Sequence, residues 1–89
     1  MKEISLTELA ELQNKILVDI REKEEFLDKN IGGINIPAHE ITNRISEFSR
    51  HENIVVLCSN GLRSSIMARV IQKKIPNANI YYLSEGIFQ

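Results

Sequence analysis

The sequence predicts an α/β fold built on a mostly parallel sheet. Two observations carry this expectation. Short β-rich apolar runs, "KILVDI", "IVVLC" and "NIYYL", alternate with stretches of helical period along the whole chain. Those runs are also nearly continuous in apolar residues, as befits parallel strands covered on both faces. Eighty-nine residues hold one modest core, so residues 1–89 are expected to form one domain.

Taken in order, Ser5-Leu6-Thr7-Glu8 fits a capping box and starts a helix from about Leu6 to Gln13. "KILVDI" then reads as a strand. "REKEEFLDKN" is polar with Phe26 and Leu27 on its apolar edge, which predicts a short surface helix broken by Asn30-Ile31-Gly32-Gly33. "INIP" is a brief extended piece, because the residue before Pro37 is pushed out of the helical region. Ile41, Ile45 and Phe48 recur at helical spacing in "HEITNRISEFS", predicting an amphipathic helix. Asn53 precedes "IVVLC", the strongest strand signal. Ile66, Met67, Val70, Ile71 and Ile75 form a stripe along a long helix that begins at Gly61 or Leu62 and that Pro76 stops. "NIYYL" is the last strand.

Composition excludes several functions. With 43% hydrophobic and 26% charged residues the chain matches ordinary soluble proteins. Its formal net charge of −1, three Phe, two Tyr and no Trp give no basic stripe with interleaved aromatics, so no nucleic-acid partner is expected. Charge is uneven, however: residues 1–30 carry five basic and eight acidic side chains, residues 31–89 six and four. The N-terminus lacks the apolar core of a signal peptide, and the longest apolar run, Ile54 to Cys58, falls far short of the roughly 20 residues of a membrane span. A single cysteine without an export signal predicts a reducing, cytoplasmic setting and no membrane partner. His39-Glu40 and His51-Glu52 lack the spacing of a metal site and read as solvated loops.

The chemistry concentrates in "VVLCSNGLRSS", Val55 to Ser65. Cys58 follows a strand directly and precedes the first turn of a long helix. Ligands of open α/β sheets sit beyond the carboxyl ends of strands, and the free N–H groups of the coming helix face the same spot and favour an anion. For a thiol this favours the thiolate, the nucleophilic form. Gly61 suits a loop that curls its amides inward, and Asn60 also tolerates positive φ. Arg63 adds a permanent charge able to stabilise a thiolate or a bound anion. Ser64 and Ser65 are placed to cap the helix. The competing reading treats Cys58 as a small buried hydrophobe, and it needs nothing more than a plain turn after the strand.

"LVDIREKEEF", "NIGGINIP", "IVVLCSNGLRSS" and "IYYLSEGI" resemble, in order and spacing, the signature blocks of single-domain rhodaneses, or thiosulfate sulfurtransferases. The resemblance covers nearly the whole chain. It implies a five-stranded, mainly parallel sheet flanked by helices on both faces, and a six-residue loop of Cys58, Ser59, Asn60, Gly61, Leu62 and Arg63. It further implies that the Cys58 thiolate takes the outer sulfur of thiosulfate or a related donor as a persulfide, held by the amides of residues 59 to 64, and passes it to a thiophilic acceptor. Such a reaction needs no cofactor, and its partners are a small sulfur donor, a thiol acceptor and, where one exists, a sulfur-relay protein.

Cys-based phosphatases use five residues between Cys and Arg and carry a His before the cysteine. This chain has four residues there, and Leu57 in place of the His. The residue after the cysteine, often Arg in rhodaneses, is Ser59, which motivates an alternative: a low-turnover binding or redox-sensing module. Asp19 and Arg21 end the "LVDI" strand on the same sheet edge, where Asp19 could bond loop amides and Arg21 enrich the positive field. A surface ion pair or a helix cap is the equal alternative for both. "SEGI" is not followed by the aromatic-bearing helix customary in the family, so the edge there is expected to be open.

Overall fold

Ser5 and Glu8 start the first helix as a reciprocal pair. The Glu8 amide donates to Ser5 Oγ at 3.1 Å and the Ser5 amide to Glu8 Oε1 at 2.9 Å. These bonds, the backbone one foremost, hold the Glu8 carboxyl below the usual carboxylate range. In the computed structural model, which describes residues 1–88, the elements run β1 (Lys2–Ile4), α1 (Leu6–Glu11), β2 (Lys15–Asp19), α2 (Lys23–Asp28), β3 (Ile34–Asn35), β4 (Asn53–Leu57), α3 (Leu62–Lys74) and β5 (Asn79–Leu83).

The five strands form one sheet in the order β1-β5-β4-β2-β3, with every pairing parallel. The three residues of β1, two of them exposed, give no strand signal in the sequence: Lys2 and Glu3 are both charged. β4 is buried along its full length and occupies the centre. Alternation along it divides the core. Ile54, Val56 and Cys58 join Val18, Ile20, Ala68, Ile71 and Phe48 on one face. Val55 and Leu57 join Ile4, Leu9, Leu83 and Ile87 on the other. Thus α3 covers one face and α1 the other.

Two expectations need correction. Residues 39 to 49 do not form an α-helix; two 3-10 turns, Ala38–Asn43 and Ile45–Glu47, occupy the region. Arg44 between them leaves helical geometry at φ −126°, ψ 18°, yet Ile41 and Phe48 are still fully buried. The short 3-10 pieces therefore deliver the same apolar side chains to the sheet as one helix would. On α3, the buried line is Ser64, Ala68 and Ile71, with Met67 and Ile75 packed beside it. Ile66, assigned to the stripe from sequence, points outward at 61% exposure. Among the described residues no helix is long and apolar enough to cross a membrane.

Connections leave β2 and β4 toward opposite edges of the sheet, β2 to β3 and β4 to β5. This divergence makes a crevice beyond the carboxyl ends of the two strands. The Ile20 amide donates to the Leu57 carbonyl at 3.0 Å, so the chain leaving β2 lies beside the chain leaving β4. Truncating Ile71→Ala should lower unfolding stability by about 2–5 kcal/mol with an unchanged denaturant slope, because the side chain is wholly enclosed between α3 and the sheet; urea denaturation measures it.

Candidate active site

Cys58 stands one residue past β4, and its side chain has no solvent exposure. It is packed in the core, as the hydrophobe reading required, but it is also a hydrogen-bond acceptor. The Gly61 amide donates to Sγ at 3.1 Å and the Ser64 amide at 3.2 Å. Two N–H groups at the opening of α3 thus converge on one sulfur. Hydrogen bonds to a charged acceptor are worth roughly 1.5–3 kcal/mol each, about twice a neutral one, and both donors here are aimed at the one sulfur.

The remaining loop residues have narrower parts than the resemblance implies. The Leu62 amide is taken by Asn60 Oδ1 at 3.1 Å, so Asn60 closes an Asx turn instead of contributing a left-handed backbone. The Ser64 hydroxyl donates to the Gly61 carbonyl at 3.0 Å and that of Ser65 to the Leu62 carbonyl at 2.8 Å. Neither serine caps an amide, since Gly61 is itself the N-cap residue. Ser59 is partly exposed, and Leu62 is 67% exposed at the rim.

Arg63 does not bond the sulfur. Its guanidinium lies 3.9 Å from Glu25 Oε2 on α2, and its side chain is 49% exposed. The other oxygen of that carboxylate, Oε1, accepts from the Glu22 amide at 3.0 Å, which fixes the partner of Arg63 in place. The one fixed positive charge of the loop is thereby countered by a carboxylate.

Asp19 and Arg21 are fully buried and bonded to each other, not to the loop. Arg21 Nε donates to Asp19 Oδ1 and Nη2 to Oδ2, both at 3.0 Å. Asp19 Oδ1 also accepts from the Arg21 amide at 3.0 Å, and Arg21 Nη2 donates to the Lys29 carbonyl. This pair is therefore neither a surface bridge nor a loop anchor: it ties the end of β2 to the end of α2. Arg21 Nη1 is buried without a hydrogen-bond partner. Removing one member of such a pair typically costs about 3–5 kcal/mol, because the other charge is left buried and alone.

The segment after β5, expected to leave an open edge, folds back on the loop. The Ile87 amide donates to the Cys58 carbonyl at 3.1 Å and the Phe88 amide to the Ser59 carbonyl at 3.4 Å. The Phe88 ring lies 5.4 Å from the Arg21 guanidinium and 5.2 Å from Lys29 Nζ. Glycine makes the approach possible. A Cβ on Gly86 (φ +76°) would fall 2.1 Å from the Ser59 carbonyl oxygen, and one on Gly61 (φ +89°) 2.2 Å from that of Ser84. Of these parts only Gly61 is legible in the sequence; Gly86 in "SEGI" is the one signal that could have located the returning segment. Among the described residues no three His, Cys, Asp or Glu side chains gather as a metal site.

The family model described as Rhodanese-like domain matches residues 5–89. The chain belongs to the rhodanese-like domain family. The candidate sulfur carrier protein YrkF of Bacillus subtilis (strain 168) is 34% identical over 59 residues, which is 65% of this chain and 32% of that protein. A tRNA sulfurtransferase of Histophilus somni (strain 2336) is 32% identical over 66 residues, 68% of this chain and 14% of its own. This rhodanese-like chain thus spans a third or less of the curated relatives it matches. Among solved structures, a rhodanese-related protein of Thermoplasma volcanium superposes with a TM-score of 0.83 at 25% identity, over 98% of this chain and 87% of the other.

The geometry of Gly61 supplies a test of the rhodanese-like loop. Gly61→Ala should destabilise the protein by at least about 2 kcal/mol, through left-handed strain and the clash with Ser84. It should also slow alkylation of Cys58 by iodoacetamide at neutral pH, as the two donors lose their aim. Urea denaturation and alkylation kinetics check the two effects separately.

Proposed function

We propose that this protein is a sulfurtransferase that moves sulfane sulfur from thiosulfate or a related donor to a thiophilic acceptor through a persulfide on Cys58. The observation that carries this reading is the convergence of the Gly61 and Ser64 amides on Sγ. In the loading step the Cys58 thiolate attacks the outer sulfur of thiosulfate. A new S–S bond forms, the old one breaks, and sulfite leaves with the bonding pair. Charge balances, from a thiolate and a dianion to a persulfide anion and sulfite. An acceptor thiolate or cyanide then takes the outer sulfur and returns Cys58 to its thiolate. The same two amides would stabilise the thiolate before loading and again when the acceptor regenerates it, in the manner of an oxyanion hole. Ser59, Asn60, Leu62 and Arg63 would frame the entrance to that atom, with Asp19 and Arg21 holding the neighbouring strand end. The names of the relatives, a candidate sulfur carrier and a tRNA sulfurtransferase, support sulfur transfer as the general chemistry. The lone thiol suits a reducing cytoplasm.

A second reading, a binding or redox-sensing module with little turnover, is favoured by one specific feature. Ser59 brings no charge and Arg63 is matched to Glu25, so the side chains of the loop itself offer a dianion no unpaired cation. Incubation with thiosulfate followed by intact mass spectrometry separates the two. We expect one added sulfur on the wild type and none on Cys58→Ser. A wild type left unmodified by thiosulfate and by small persulfides, yet reversibly oxidised by peroxide, supports the module.

A further inference from the structure

The solvent face of α3 starts at the reactive loop and carries an unusual charge. Among its thirteen residues are Arg63, Arg69, Lys73 and Lys74, with no carboxylate, in a chain whose formal net charge is −1. Arg63 has Glu25; Arg69, Lys73 and Lys74 have no acidic partner within 4.0 Å among the described residues. By helical geometry Leu62, Ile66, Arg69 and Lys73 share one narrow line opposite the buried Ser64, Ala68 and Ile71, and that line runs about 16 Å from the loop. Its first two members are large apolar side chains exposed at 67% and 61%. Exposed apolar pairs beside a reactive group, continued by unpaired cations, form a contact surface with a direction.

We propose that this face docks an acidic polypeptide segment that delivers sulfur to Cys58 from its own cysteine persulfide. The proposal rests on the sulfurtransferase reading and names its donor class. Unpaired cations call for carboxylates, and Leu62 and Ile66 call for apolar residues next to the donating sulfur. Aromatic stacking groups are absent from α3, which sets the face apart from a nucleic-acid surface. In the transfer, the Cys58 thiolate bonds to the outer sulfur of the donor's S–SH group. The donor's S–S bond breaks, its inner sulfur leaves as a thiolate with the electron pair, and the proton stays on the transferred sulfur.

Three decapeptides test this, each with one central cysteine as its persulfide and flanked by Leu and then by Glu, Ser or Lys. Free cysteine persulfide is the small-donor control. The Glu peptide should load Cys58 about ten-fold faster, as kcat/KM, than the Lys peptide at low salt, with the margin shrinking as ionic strength rises. The double variant Arg69→Gln/Lys73→Gln should remove that preference and Arg69→Glu/Lys73→Glu reverse it, while loading from free cysteine persulfide stays within about two-fold. Equal rates for the three peptides, or a preference that survives both variants, overturns the proposal. So does an RNA oligonucleotide that binds wild type and not the Gln variant while the peptides are not distinguished. If free cysteine persulfide fails to load Cys58, it is the sulfurtransferase reading that falls. Docking is then decided by fluorescence anisotropy of the peptides as plain thiols, where the same charge order supports it and no order overturns it.

Discussion

Two backbone N–H groups aimed at one sulfur are the constraint on which the site depends. A helix leaves its first amides unpaired, and those of α3 meet the side chain that ends the apolar run of β4. Both amides lie near 3 Å from a sulfur with no water-facing surface, where hydrogen bonds are electrostatically stronger than in water. Core packing and the aim of the loop amides are consequently the same arrangement seen from its two sides. The atom that fills space beside Val56 is also the atom on which the two amides converge.

That arrangement is held by backbone contacts more than by side chains. Gly61 passes the Ser84 carbonyl and Gly86 passes the Ser59 carbonyl at distances no side chain would permit, while the amides of residues 87 and 88 bond the loop from below. Next to it, the buried Asp19–Arg21 pair fixes the end of β2 and reaches the carbonyl of Lys29. The loop therefore rests between two rigid neighbours. Its charged rim residue, Arg63, is a surface group with a surface partner, and such pairs contribute little to stability.

Much of this is legible in the sequence, for physical reasons that differ by element. "IVVLC" has one reading because a central parallel strand is apolar on both faces. Ser5 and Glu8 announce the start of α1 because their chemistry is local. The same locality fails elsewhere. Ile41, Ile45 and Phe48 have helical spacing, yet two 3-10 turns occupy the region, with Ile41 and Phe48 fully buried and Ile45 partly so, and periodicity registers which side chains go inward more faithfully than which helix carries them. Ile66 shows the converse, an apolar residue near a stripe but outside it. The partner of Arg63 lies 38 positions away on another helix, and the Asp19–Arg21 pair looks like a surface bridge until the fold closes over it. Contacts distant in sequence leave no periodic trace. The loop's cysteine and glycine are readable, and the direction of its arginine is not.

The complete enclosure of Cys58 also governs which reagents reach it. As the nucleophile of the proposed reaction, a sulfur screened by its neighbours would sort incoming molecules twice, by how readily they accept electrons and by how slender they are. A terminal sulfur on a narrow stem passes such a filter, whereas a broad electrophile of equal intrinsic reactivity is turned away. Enclosure thus places steric selection at the sulfur itself, ahead of any chemistry the proposed sulfurtransferase would perform there.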